Sequence, residues 1–327
     1  MEPANSSKRE DLLNVVRGVL MGAADIVPGV SGGTVALIVG IYQRLVSAVS
    51  HLDAQLLRLV WRGKWKEAAI YLDFRFLATL GVGVIGGAVA LASLIHYLLE
   101  SYQTETFAVF FGMIVASSLL VARQIPRWSP RLIIAAALAA SAAFVICGLV
   151  PSNVNPTPLN IFLCSMVAIC AMLLPGISGS FLLLICGLYH HITGTIKTFA
   201  AGGINMETIT TLAVFAAGCA TGLILFSKVL KWLLNKHSEI TMAILCGFMI
   251  GSLRRVWPFK REFPIDEEHV LLLNTLPQAL TTEVLLAAAL AVGAAVLVLI
   301  VERGSQSGSH VNNEQLNSLS TPASTEA

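Results

Sequence analysis

The stretches PGVSG at Pro28–Gly32 and PGISG at Pro175–Gly179 have the residue types best suited to chemistry. Pro prevents a preceding helix from continuing, Gly allows a tight backbone turn, and Ser is a good N-cap for the helix that follows. The start of a helix presents free backbone N–H groups and partial positive charge, which suit an anion such as phosphate. Each stretch therefore predicts a break between two helical arms, with an anion site at the start of the second arm.

The two stretches lie 147 residues apart and belong to a longer repeat. Over fifteen positions counted from each Pro, eight residues are identical, including Tyr42 and Tyr189. Two helix starts brought together by such a repeat would form one polar site near the middle of a membrane. The predicted substrate-binding residues are Arg17, Pro28, Gly29, Ser31, Gly32, Gly33, Thr34, Pro175, Gly176, Ser178, Gly179 and Ser180. The alternative is a packing break between helices that touches no ligand.

Asp25 and Arg17 are ionisable residues of the first arm, whereas the second copy has Met172 and Cys164 at the same positions. An ionisable group at membrane depth is costly and is typical of a functional site. Eight residues separate the two, about two helical turns, which places them on one helix face. Asp25 is predicted to carry a coupling proton. The alternatives are an internal ion pair and, for Arg17, snorkelling toward the membrane surface.

The composition predicts a polytopic membrane protein. Of 327 residues, 56% are hydrophobic and 12% are charged, with a mean hydropathy of +0.77, which argues against a soluble protein. The first residues lack an h-region and a cleavage site, so no cleaved signal peptide is expected. The six cysteines all lie in apolar runs without a C-x-x-C pair. No metal, cofactor or nucleic-acid partner is expected.

Six further apolar runs are long enough to cross a bilayer. They lie at about 76–99, 106–123, 131–150, 209–230, 240–257 and 283–301. Weaker matches between these runs extend the repeat. The predicted organisation is an N-terminal segment 1–11, a first membrane repeat 12–150, a linker 151–158, a second membrane repeat 159–302 and a disordered polar tail 303–327.

The predicted fold class is an all-α polytopic membrane protein with two inverted-topology repeats. Each repeat is a re-entrant hairpin followed by three transmembrane helices, and the arms of the first hairpin are Leu12–Val27 and Ser31–Ser50. Whether its arms stop midway or cross the membrane fully, a hairpin returns to its starting side, so three further crossings leave the second repeat inverted. Irregular backbone at this depth is tolerated only where protein or a polar cavity satisfies it.

The distribution of basic residues predicts a cytoplasmic N-terminus. With this orientation, only five of the 21 Lys and Arg residues lie outside: Lys197, Arg254, Arg255, Lys260 and Arg261. Arg254 and Arg255 end an outward-running helix, where they could contact an anionic head group. The alternative is a solvated loop in which nearby acidic residues balance this charge.

The motif pair PGVSGGT and PGISGS and the run RGVLMGAADIVPGVSGGTVALIVGIY resemble the bacterial polyprenyl-phosphate transporter family over residues 12–302. The resemblance implies a multi-pass protein of the inner membrane that returns undecaprenyl phosphate, the lipid carrier of cell-wall and surface-glycan precursors, to the cytoplasmic leaflet. It implies a lipid-linked phosphate as substrate. Coupling to a proton or sodium, and a homo-oligomeric state, stay open.

Two other functions share this architecture. Undecaprenyl-diphosphate phosphatases also use re-entrant inverted repeats, but with a P-G-x-S-R motif, and Gly32 and Gly179 stand here in place of its Arg. Hydrolysis also needs a nucleophile with general acid–base help, and no base is evident beside Ser31 or Ser178. A small-anion transporter is the other alternative, and only the resemblance weighs against it.

Overall fold

Helices make up most of the chain in a computed structural model, which describes residues 8–26, 30–149, 154–266, 269–277 and 279–320. Apolar segments favour helices in a membrane because each helix satisfies its own backbone hydrogen bonds. The helices of the first half are α1 Lys8–Ile26, α2 Gly32–Ile38, α3 Tyr42–Ser50, α4 Ala54–Trp61, α5 Trp65–Tyr71, α6 Phe74–Ser101, α7 Gln103–Arg123 and α8 Pro130–Ile146.

The second half has the same order of long and short helices, without counterparts of α4 and α5 in the described residues. Its elements are α9 Pro158–Leu173, α10 Gly179–Ile185, α11 Tyr189–Ala200, α12 Met206–Lys236, α13 Ser238–Ser252, β1 Lys260–Asp266, β2 His269–Asn274 and α14 Thr282–Ser320.

All six predicted spans are helical. Within the described residues, four helices are long and apolar enough to cross a membrane: α6, α7, α12 and the Thr282–Ile300 part of α14. The apolar helices α8, α9 and α13 are shorter. α8 ends at Ile146 and α13 at Ser252, before the predicted ends at residues 150 and 257. The structure thus agrees with a multi-pass helical membrane protein.

Two features differ from the sequence prediction. β1 and β2 form an antiparallel hairpin in which Lys260 pairs with Asn274, so the chain is not entirely helical. α14 continues to Ser320, into the segment from residue 303 that composition predicts to be disordered. A helix that has already nucleated can propagate through local hydrogen bonds alone, which composition does not reveal. Residues 321–327 of the tail lie outside the described residues.

Small residues bring helices of one half into close contact. α1 packs along α6, and a Cβ at Gly18 would meet the Gly83 Cα at 2.8 Å. α9 packs along α12, and a Cβ at Gly218 would meet the Phe162 carbonyl oxygen at 2.5 Å. In both pairs the helix backbones therefore touch, as is usual for small residues in membrane helices.

The remaining long helices pair between the two halves. α7 packs along α14, where Gly112 lies against Ala291, and α8 packs along α13, where Gly247 lies against Ala136. The two halves of the chain therefore interlock rather than forming separate helix bundles.

The second arm of each broken segment is itself broken, so the prediction of one helix over Ser31–Ser50 is wrong. α2 ends before Gly40 and α10 before Gly187, and these glycines adopt φ values of 71° and 74°. Such left-handed glycines end helices. The bend between α10 and α11 is 112°. α3 packs on α12 of the other half, whereas α11 packs on α12 of its own half.

Candidate functional site

The first motif forms a capped helix start whose N–H groups are already occupied. Pro28 and Gly29, both predicted site residues, lie outside the described residues. Ser31 is the N-cap of α2, as predicted, and its Oγ accepts a hydrogen bond of 3.1 Å from the Gly33 N–H. The Gly32 N–H donates to the Asp25 Oδ1 at 2.6 Å. Asp25 therefore places a carboxylate where an anion was predicted to bind.

The contact between Asp25 and Gly32 also explains why the last position of the first motif is glycine. A Cβ at Gly32 would meet the Asp25 Oδ2 at 2.7 Å, so a larger side chain would displace the carboxylate. The predicted alternative of an Arg17–Asp25 ion pair is wrong. Arg17 instead donates to the Oδ1 of Asn14 at 3.1 Å, and Asp25 has no Lys, Arg or His partner among the described residues.

Three hydrogen bonds join the two motifs in the core. The Ser31 hydroxyl donates to the Leu174 carbonyl at 3.3 Å, and the Gly176 N–H donates to the Thr34 Oγ1 at 2.9 Å. The Tyr42 hydroxyl donates to the Leu173 carbonyl at 2.8 Å. Ser31, Thr34 and Tyr42 are all fully buried. The structure thus brings the two breaks together, as the repeat predicted. It also adds Tyr42 to the site, a residue that sequence reasoning missed although its match with Tyr189 in the repeat could have indicated it.

Replacing Thr34 by Val is expected to destabilise the protein by about 1–3 kcal/mol, because the buried Gly176 N–H loses its acceptor without a change in side-chain shape. The measurement is the thermal unfolding midpoint of detergent-purified protein. Thr34→Ser keeps the acceptor and is the matched control. Equal midpoints for the Val and Ser variants would contradict a role for this bond.

The second motif has the same backbone break without a carboxylate. Ser178 occupies the N-cap position of α10, but its side chain makes no capping bond, contrary to the prediction. Its Oγ instead lies 2.7 Å from the Ser180 Oγ. Neither hydroxyl has another hydrogen-bond partner in the part of the chain that the structure describes. Pro175 and Gly179 are buried beside them, and a Cβ at Gly179 would meet the Ala168 carbonyl oxygen at 2.6 Å.

A basic group lies against the first turn of α10. The Arg255 guanidinium lies 4.5 Å from the centre of the Phe181 ring. Phe181 directly follows Ser180 in the sequence. Lys260 donates to the Arg255 carbonyl at 2.7 Å. Arg254 turns away, stacking on Phe144 at 4.4 Å and donating to its carbonyl oxygen at 3.0 Å. The two arginines therefore differ: Arg255 lies on Phe181 in the first turn of α10, and Arg254 lies on Phe144 of α8.

Positive charge is concentrated at this position. Arg255 and Lys260 form no ion pair with any acidic side chain that the structure describes. Burial, and to a lesser degree the Arg255 charge, lower the pKa of Lys260 to about 8. The positive charges are thus partly desolvated, an arrangement that an incoming anion would stabilise.

Comparisons with known proteins place the chain in a family. A family model described as VCA0040-like, undecaprenyl phosphate translocase-like, matches residues 21–270. The chain belongs to this family. The matched residues include Asp25, both motifs and Arg255, and the resemblance drawn from the motifs is confirmed.

Two curated relatives support this assignment to the undecaprenyl phosphate translocase-like family. A polyprenyl-phosphate transporter of Vibrio cholerae is 38% identical over 250 residues, covering 76% of this chain and 78% of the relative. A polyprenyl-phosphate transporter of Staphylococcus aureus is 29% identical over 258 residues, covering 75% of this chain and 86% of the relative. No solved structure gives a significant match.

Proposed function

We propose that this protein transports undecaprenyl phosphate between the leaflets of the bacterial inner membrane, with the phosphate bound at the second motif. The observation that carries the proposal is the difference between the motifs. Asp25 fills the start of α2, whereas the Ser178 and Ser180 hydroxyls contact only each other among the described residues, and Arg255 lies on the ring of the next residue, Phe181. The names of the two relatives support a polyprenyl phosphate as the ligand.

The lipid would keep its prenyl chain in the bilayer while only the phosphate crosses. A phosphate moving inward against a negative interior potential costs about 2.3 kcal/mol per charge per 100 mV, so coupling to a proton or sodium ion is proposed. Asp25 is the proposed ion carrier. As a carboxylate it accepts from the Gly32 N–H and repels phosphate, and neutralising it would remove this repulsion.

Inverted repeats with a cytoplasmic N-terminus are part of the proposal. The pairing of α7 with α14 and of α8 with α13 is what a two-fold relation between the halves would produce. The returned carrier would serve the synthesis of cell-wall and surface glycans. Arg255 would receive the phosphate from the outer leaflet, and the re-entrant arms would surround its path.

The geometry favours transport over hydrolysis. The Ser31 hydroxyl is committed to the Leu174 carbonyl, and the Ser178 hydroxyl contacts only another hydroxyl among the described residues. A serine nucleophile needs a neighbouring base to take its proton. Purified protein should therefore release no phosphate from undecaprenyl diphosphate.

Arg255→Gln is expected to weaken undecaprenyl phosphate binding by at least about tenfold, since charge-assisted hydrogen bonds contribute about 1.5–3 kcal/mol. Binding to detergent-purified protein is measured by calorimetry, and leaflet-to-leaflet movement is followed in proteoliposomes. Arg254→Gln is the matched control and should change binding by less than about threefold. Equal loss in both variants would contradict a phosphate site at the second motif. Normal binding without leaflet exchange in the wild type would contradict transport.

A further inference from the structure

A second basic cavity lies where the end of α3 meets the last turns of α12. Its volume is about 360 Å³, and its lining includes His51, Asp53, Tyr71, Lys228, Lys231 and Trp232. Arg255 follows the far end of α13, a helix of 15 residues that begins just after α12. At 1.5 Å per residue, this helix separates the cavity from Arg255 by about 22 Å. The cavity is therefore distinct from the second motif.

Asp53, the one carboxylate among the described residues that line this cavity, is already engaged. The Asp53 Oδ1 accepts from the N–H groups of Gln55 and Leu56 at 2.9 and 3.0 Å, which caps α4. Its Oδ2 accepts from the Tyr71 hydroxyl at 2.9 Å. The nearby Asp73 is held by Arg44 through two hydrogen bonds. Asp53 therefore offsets only part of the positive charge of the two lysines.

The two lysines have no acidic partner at ion-pair distance among the described residues. The Lys231 Nζ lies 2.9 Å from the His51 Nε2, within hydrogen-bonding distance. Burial and the charge of Lys231 lower the pKa of His51. Lys228, which also lines the cavity, is exposed. An anion with several acceptor oxygens would satisfy donors that the protein leaves open.

The outer surface of α12 suits a lipid next to this cavity. Leu225, Val229 and Trp232 recur at helical spacing and are 58%, 51% and 52% exposed. Aromatic residues beside lysines are typical of the boundary between membrane and water. A hydrocarbon chain lying on this stripe would bring a phosphate at its end to Lys228 and Lys231.

We infer that the α3–α12 cavity binds a phosphate monoester through Lys228 and Lys231. The same group could be carried by a lipid or by a soluble metabolite, and the exposed stripe of α12 favours a lipid. The inference does not depend on transport, because an anionic lipid could occupy the cavity in a protein that moves nothing.

The test is titration of detergent-purified protein with farnesyl phosphate and with glycerol 3-phosphate. Lys228→Gln combined with Lys231→Gln is expected to weaken farnesyl phosphate binding by at least about tenfold. Lys236→Gln is the matched control, since its Nζ lies 5.8 Å from the Trp232 ring and outside the cavity lining. This control should change binding by less than about twofold. Both titrations are repeated in the Arg255→Gln background, so that binding at the second motif is not counted.

A second readout separates ligand contact from a structural effect. An anion held by Lys231 should raise the pKa of His51, measured by NMR of histidine-labelled protein with and without farnesyl phosphate. Tighter binding of farnesyl phosphate than of glycerol 3-phosphate would assign a lipid ligand, and equal binding would assign a soluble one. Unchanged binding in the double lysine variant, or an unchanged His51 pKa, would overturn the inference.

Discussion

Replacing Asp25 by Asn is expected to reduce undecaprenyl phosphate transport by at least about tenfold, equivalent to about 1.4 kcal/mol of barrier. The Asn side chain retains an oxygen that can accept from the Gly32 N–H, so the start of α2 stays capped. What is lost is the charge that can take up and release an ion. Transport is measured in proteoliposomes over acidic to alkaline pH, with the amount of folded protein determined in parallel.

Asp11→Asn is the control for this experiment. Asp11 lies on the same helix and pairs with the exposed Arg75, far along α1 from the motifs. Its replacement should leave transport unchanged, because isolated surface ion pairs contribute little. Normal activity of the Asp25 variant at every pH would remove Asp25 from the mechanism. Loss of folded protein would instead show that its carboxylate has a structural role.

Gly176→Ala is expected to have the largest effect on stability, about 2–5 kcal/mol from backbone strain and overpacking together. Gly176 adopts a φ of 91°, and a Cβ there would meet the Ser252 Oγ at 2.8 Å and the Met249 Cα at 3.0 Å. The α10 break and the end of α13 would have to separate. The thermal unfolding midpoint and the yield of monodisperse protein measure the loss.

Substitutions at two other glycines separate the contribution of backbone strain from that of overpacking in Gly176→Ala. Gly40 has a φ of 71° but no neighbour within 4 Å of an added Cβ, so Gly40→Ala reports strain alone. Gly194 lies inside α11 in open space, and Gly194→Ala should be neutral or slightly stabilising. A Gly176 variant as stable as the Gly40 variant would contradict tight packing between the second motif and α13.

Features determined by local sequence could be predicted. The repeated PGxSG stretches predicted both breaks, and Ser31 caps α2 as its residue type indicates. The six apolar runs predicted six helices because length and hydropathy are properties of the segment itself.

Features that depend on distant contacts could not be predicted. Arg17 and Asp25 share a helix face by spacing, yet Asn14 is closer to Arg17, and Asp25 turns to Gly32. Nothing local distinguishes Arg255 from Arg254, since what separates them is the position of Phe181 more than 70 residues earlier. The packing of α3 on α12 likewise brings His51 to Lys231 across 180 residues.

Because α7 pairs with α14 and α8 with α13, these two contacts cannot form until the ribosome has made the second half of the chain. α8 is made about a hundred residues before its partner α13 is finished, a delay on the order of 10 s at typical rates of synthesis. During this time α7 and α8 lack the helices along which they pack in the finished protein. A nascent chain arrested after residue 150 would therefore hold α7 and α8 without α14 and α13, and membrane quality-control proteases would have a target that the finished protein conceals.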